Sequence, residues 1–146
     1  MNLTKNKLFL YSAILAFLGF LDATYLTIIH YRQIIPPCTI GSCETVLNSE
    51  FATILGIPTA LLGSLFYLSV IVITLLILTN YKKMYVSLFY LLATTGFGVS
   101  LFLLYIQAFV LHSFCQYCLL SAATSTGIFI LAVLQIRKEK NSLLTK

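Results

Sequence analysis

Long apolar runs dominate this chain, and charges gather only between them. Four runs follow in order: Leu8 to Ile29, Ile57 to Thr79, Met84 to Leu111, and Cys115 to Ile136. Each is close to or above the ~20 residues that carry an α-helix across the hydrocarbon core of a bilayer. The run from Ile57 to Thr79 has no charge at all, and the one from Met84 is long enough to tilt or to project beyond the bilayer. Gly56-Ile57-Pro58 opens the second run. Proline suits a first helical turn, where its missing N–H has no partner to lose. Asn80-Tyr81-Lys82-Lys83 and His112-Ser113-Phe114 read as tight turns. The pattern predicts an all-α integral membrane protein, a bundle of four transmembrane helices forming one domain over residues 1–146.

The stretch from Tyr31 to Leu55 is the one substantial loop. Pro36-Pro37 stiffens its start, and Gly41 permits a sharp turn. Ser42 is positioned to cap a short helix through Glu44-Thr45-Val46-Leu47. Val46, Leu47, Phe51, Ile54 and Leu55 predict an apolar half-helix lying on the membrane surface or over the mouth of the bundle.

Composition excludes a soluble globular protein. The 146 residues are 60% hydrophobic and 9% charged, against roughly 25% charged for soluble domains. The net charge of +5 does not point to nucleic acid, because the basic residues sit in short clusters at the ends of apolar runs. There they orient a membrane protein. Lys5 and Lys7 ahead of the first run resemble the start of a secretory signal. However, the run exceeds a signal's apolar core and no small-x-small cleavage site follows, so it reads as a retained helix.

Sorting the nine Lys and Arg residues by side gives the topology. Lys5, Lys7, Lys82, Lys83, Arg137, Lys138, Lys140 and Lys146 fall on one side, and Arg32 alone falls on the other. The positive-inside rule then puts both termini in the cytoplasm and the Tyr31–Leu55 loop outside. Cys38, Cys43, Cys115 and Cys118 all fall on the outward side, where disulfides form and exchange.

Cys115 and Cys118 open a predicted helix three residues apart, which puts them on one face with Cα atoms about 5–6 Å apart, within disulfide range. A helix N-terminus favours the thiolate, the nucleophile of disulfide exchange. Two inert staples are an alternative, but a Cys38–Cys43 bridge closes a very short loop and a Cys-x-x-Cys on a helix is already held. The spacings also fit zinc ligands, against which an oxidising compartment at a membrane mouth argues. Redox exchange with something dissolved in lipid is the reading preferred.

Asp22 is the only acid inside a span and marks either a proton path or a hydrogen bond to Thr94, Thr95 or Gln107. Gly96 and Gly98 predict close helix contact in the third span. For a quinone in an apolar pocket, Asn48, Ser49, Tyr25 and His112 are the candidate hydrogen-bonding residues by position, and His112 the candidate for protonating a quinol oxygen.

Three motifs, in this order and at these membrane positions, resemble the vitamin K epoxide reductase family, in particular its bacterial quinone-linked members. They are Tyr25-Leu26-Thr27 near the outer end of the first span, and a loop cysteine pair followed by Val-Leu-Asn-Ser and Phe-Ala-Thr-Ile-Leu-Gly-Ile-Pro. The third is Cys-x-x-Cys opening the last span. The resemblance covers about residues 8–136. It implies a thiol:quinone oxidoreductase of the bacterial cytoplasmic membrane that supports disulfide bond formation, with a quinone pocket near the outer end of the bundle. In it Cys118 reacts with the quinone, ubiquinone or menaquinone, and Cys115 completes the active-site pair. Cys38 and Cys43 receive electrons from a thioredoxin-like partner and hand them to Cys115. Many bacterial members carry a fused thioredoxin-like domain; this chain ends soon after span four, so a separate DsbA-type protein is expected. Vertebrate members have Thr-Tyr-Ala after the Cys-x-x-Cys region where this chain has Leu-Leu-Ser-Ala-Ala, which favours a plain quinone. DsbB-type oxidases place the Cys-x-x-Cys in the first outer loop, the reverse of the order here. The competing class is a small membrane transporter or assembly factor whose outer disulfides are structural.

Overall fold

The computed structural model describes residues 3–39 and 41–144. Among these described residues, four helices are long and apolar enough to cross a membrane. Helix α1 runs Leu3–Arg32, and the loop that follows carries the short helix α2, Cys43–Leu47. A single 3₁₀ turn at Glu50–Ala52 leads into strands β1 (Thr53–Ile54) and β2 (Ile57–Pro58). Helices α3 (Thr59–Thr79), α4 (Lys83–Tyr105) and α5 (Gln116–Leu144) complete the chain, and α4 continues into a π turn at Ile106–Val110. Helix α1 packs on α3 and α5, and α4 packs on the same two, so α1 and α4 stand diagonally across a four-helix bundle.

The buried seams repeat at heptad-like spacing: Phe9, Ala16 and Ala23 on α1, Val70, Ile73 and Ile77 on α3, and Val86, Phe89 and Ala93 on α4. The opposite faces keep large apolar side chains exposed, among them Phe17 and Leu21 on α1 and Leu65, Leu68 and Leu75 on α3. A helix apolar on every side belongs in lipid rather than in water. Gly96 meets the expectation of close contact, since a Cβ there would strike the Phe66 ring; Gly98 does not, having open space beside it.

Three boundaries differ from the sequence reading. The second long helix starts at Thr59, because Ile57 and Pro58 pair antiparallel with Ile54 and Thr53. Leu55 and Gly56 join the strands with φ of 54° and 81°, the left-handed pair that a tight hairpin turn requires. The expected apolar half-helix stops at Leu47, and Leu55 stands 98% exposed at the hairpin tip. Ser42 does occupy the N-cap position of α2, yet its side chain makes no capping bond. Helix α5 continues past Ile136 to Leu144, beyond what a bilayer needs. Of the basic residues used for topology, Lys146 lies outside the described residues.

Candidate active site

All four cysteines gather at the loop end of the bundle, opposite the Asn80–Lys82 turn. The contact begins with backbone. Gly41 pairs with Cys115 in an isolated antiparallel bridge. Its φ is +80°, and a Cβ would collide with the Phe114 carbonyl. Only glycine combines that conformation with that approach.

The first turn of α5 then holds the loop. Thr39 donates to Gln116 Oε1 through both its N–H (3.3 Å) and its Oγ1 (2.8 Å). Gln116 Nε2 donates to the Pro37 carbonyl at 3.3 Å, and the Tyr117 hydroxyl donates to the same oxygen at 3.2 Å. The two residues between Cys115 and Cys118 are therefore the clamp. In the sequence they look like spacers, and their polar character was the available signal.

Cys38 and Cys43 form a disulfide with Cα atoms 6.1 Å apart, and Cys115 and Cys118 are free thiols. Cys43 and Cys115 are buried in one cluster with Val46, packed by Cys38, Leu47, Leu111, Tyr117 and Cys118. A disulfide and a dithiol thus share one apolar environment, the arrangement that exchange needs. Cys115 lies just ahead of the span Gln116–Lys138. A hydrogen bond from the Cys118 side chain lowers its thiol from 9.0 to about 7; burial opposes this, and the backbone N–H groups of Cys118 and Tyr117 assist it. Helix-start stabilisation of a thiolate therefore acts on Cys115 through named amides.

Gln107 fixes Cys115 from the other side. Its Oε1 accepts the Cys115 N–H at 3.0 Å, and its carbonyl accepts the Ser113 N–H at 3.1 Å. Gln107 sits in the π turn, a geometry that often marks functional positions. Its side-chain oxygen is taken by the Cys115 amide, and its Nε2 does not bond Asp22 Oδ2, which has no partner. Thr94 and Thr95 do not either, since each donates to its own helix, at Tyr90 and Leu91. Asp22 is buried, and its Oδ2 has no hydrogen-bond partner.

Cys118, one turn along α5, lines a largely apolar cavity of about 130 Å³ among α1, α3, α4 and α5, lined at the loop end by α2 and the 3₁₀ turn. Below it the Tyr67 hydroxyl ties α3 to α5, donating to the Ser121 carbonyl at 2.6 Å with Thr124 Oγ1 at 2.9 Å. Ser49 lines the cavity while donating to the Val46 carbonyl at 2.7 Å. Asn48 lines a separate groove outside it with Gln33 and Ile34. Tyr25 is exposed, its ring 5.4 Å from that of Tyr117. His112 is exposed on the turn after α4 with φ of 48°. Asn48, Tyr25 and His112 are not among the cavity's lining residues, whereas His30, which the sequence reading did not single out, is. Its spacing from Ala23 and Leu26 was the signal available.

Four apolar helices, two cysteine pairs brought together at one end, and a thiol facing an apolar cavity define a membrane redox site. Residues 10–133 match the model of the vitamin K epoxide reductase family, and the chain belongs to that family of quinone-linked membrane thiol–disulfide oxidoreductases.

Proposed function

We propose that this chain reoxidises a separate thioredoxin-like protein of the DsbA type and passes its two electrons through two cysteine pairs to a lipid quinone. The observation that carries the reading is the burial of Cys43 against Cys115 with Cys118 opening into the adjacent cavity. The partner's thiolate attacks the Cys38–Cys43 disulfide, and the loop dithiol then reduces the Cys115–Cys118 pair in its disulfide form. Each exchange breaks one S–S bond and forms another. Cys118 returns the electrons at the cavity wall, where bound quinone supplies a two-electron acceptor.

The cavity suits such a ring: its walls are largely apolar, and its polar groups are few and local. Ser49 is the sequence candidate that lines the cavity; Asn48, Tyr25 and His112 do not line it. Potentials agree with the direction. A DsbA-type oxidant sits near about −120 mV, so its reoxidation needs a sink of higher potential, and a respiratory quinone is one. The eight-to-one distribution of basic residues supports cytoplasmic termini and an outward-facing loop end in a bacterial cytoplasmic membrane.

The test uses purified full-length protein with a soluble quinone and a reduced DsbA-type protein, following quinone absorbance. Quinone reduction that requires both the partner and Cys118, and is absent in Cys118→Ala, is the expected result. Turnover in Cys118→Ala equal to that of the native chain would refute it.

A further inference from the structure

Resting on that reading of the cavity, we infer that His30 is the proton donor to the quinone, and that it is recharged from water in the groove outside. The groove lies between the end of α1 and α2, beside Asn48 and the exposed residues Gln33, Ile34 and Ile35. His30 and Leu47 are the two residues common to the inner cavity and this groove. They form the partition between apolar pocket and aqueous surface, and of the two only His30 carries an exchangeable proton.

The other polar groups of the cavity are engaged or do not titrate. Ser49 donates to the Val46 carbonyl and Thr59 to the Phe51 carbonyl. Gln107 is held by the Cys115 amide, and Ser121 is tied to Tyr67. Ser100 is a hydroxyl that stays protonated. Cys118 and His30 are thus the cavity's two titratable groups among the described residues. On the elements that line the cavity with His30, the charged and titratable residues closest in sequence to the lining positions are Glu44 on α2, Glu50 on the 3₁₀ turn, Cys118 on α5, and Tyr31 and Arg32 on α1 itself; the first turn of α3 has none. The Tyr31 ring stands edge-on to the imidazole at 6.0 Å.

The chemistry has a use for such a group, because Cys118 lines the cavity and Cys115 does not. Formation of the Cys115–Cys118 disulfide removes two electrons and two protons from the thiols. The quinone takes up two electrons and two protons to become quinol. In this scheme one thiol proton passes directly to a quinone oxygen on the Cys118 side. His30 gives its ring proton to the other oxygen and recovers one from groove water, and the second thiol proton is released to water. Imidazole suits the task because it exchanges protons near neutral pH.

Three measurements test this. Diethylpyrocarbonate modification of His30, read by mass spectrometry without turnover, is expected to slow at least about tenfold when soluble quinone is added, with exposed His112 as the unprotected reference. In His30→Gln, kcat is expected to fall roughly 100-fold with quinone KM nearly unchanged. The shape of the kcat–pH profile is expected to differ between the native chain and His30→Gln. Native kcat and native pH profile in His30→Gln would overturn the inference. Ala60→Phe, with Ala60→Leu as a milder version, fills the cavity and separates the two readings. A raised quinone KM there, alongside a native His30→Gln, rejects the role of His30 alone. An unchanged KM and unchanged quinone protection in properly folded Ala60 variants reject the cavity as the quinone site, and the inference with it.

Discussion

Replacing Gly41 by alanine tests how the loop pair reaches the second pair. Gly41 sits at φ +80°, bridged to Cys115, with the Phe114 carbonyl where a Cβ would go. A left-handed backbone costs a non-glycine residue roughly 1–2 kcal/mol. The collision with Phe114 adds to that, because the opposing atom is backbone and cannot rotate away. Both penalties fall on the docked loop alone; an undocked loop relaxes them. A loss of about 1–2 kcal/mol in docking corresponds to roughly 5–30-fold in an equilibrium, and the clash makes this a lower bound. Internal transfer between the Cys38–Cys43 and Cys115–Cys118 pairs is therefore expected to slow at least about fivefold in Gly41→Ala. Rapid acid quench, thiol alkylation and mass spectrometry after one equivalent of reduced partner read that step. Reduction of the Cys38–Cys43 disulfide by the partner should keep its native rate, since it needs no docking. Native internal transfer in Gly41→Ala, with the loop disulfide intact, would refute the claim that the bridge aligns the two pairs.

Three further outcomes follow from single contacts. Gln107→Leu leaves the buried Cys115 N–H unpaired, so thermal stability is expected to drop by about 1–3 kcal/mol, with faster hydrogen exchange at that amide. Cys118→Ala removes the hydrogen bond that holds the Cys115 thiol at about 7. Thiolate absorbance at Cys115, which appears in the native chain as pH rises through 7, should then appear only at higher pH; an unmoved midpoint would show that another group sets it. Gly96→Val drives a side chain into Phe66 and is expected to lower the unfolding temperature in detergent, whereas Gly98→Ala, facing open space, should leave it unchanged.

The spans were legible because lipid demands uninterrupted apolar length, and nothing else in this chain supplies it. The cysteine pairs were legible through spacing and side. The boundary at Pro58 was not, because a proline that can open a helix can equally precede it in an extended strand. The short hairpin rests on Leu55 adopting a glycine-like φ, for which leucine gives no sign. Asp22 was read as either marking a proton path or meeting Thr94, Thr95 or Gln107; the threonines satisfied themselves on their own helix, an option every hydroxyl in a helix carries. His30 escaped notice because it ends an apolar run and reads as a boundary residue. Its role depends on a groove that only the folded loop creates.

The π turn at Ile106–Val110 carries a consequence for how this bundle tolerates insertion and deletion. A π turn spends more residues per turn than an α-helix, equivalent to one residue inserted into α4. That extra residue sets the azimuth at which Gln107 points toward the Cys115 amide. Deleting Ile106 would leave α4 almost as long but move Gln107 back one position, about 100° around the axis. Fitting this scaffold to a thicker or thinner bilayer therefore calls for changes in α4 by whole turns, made before Ile106.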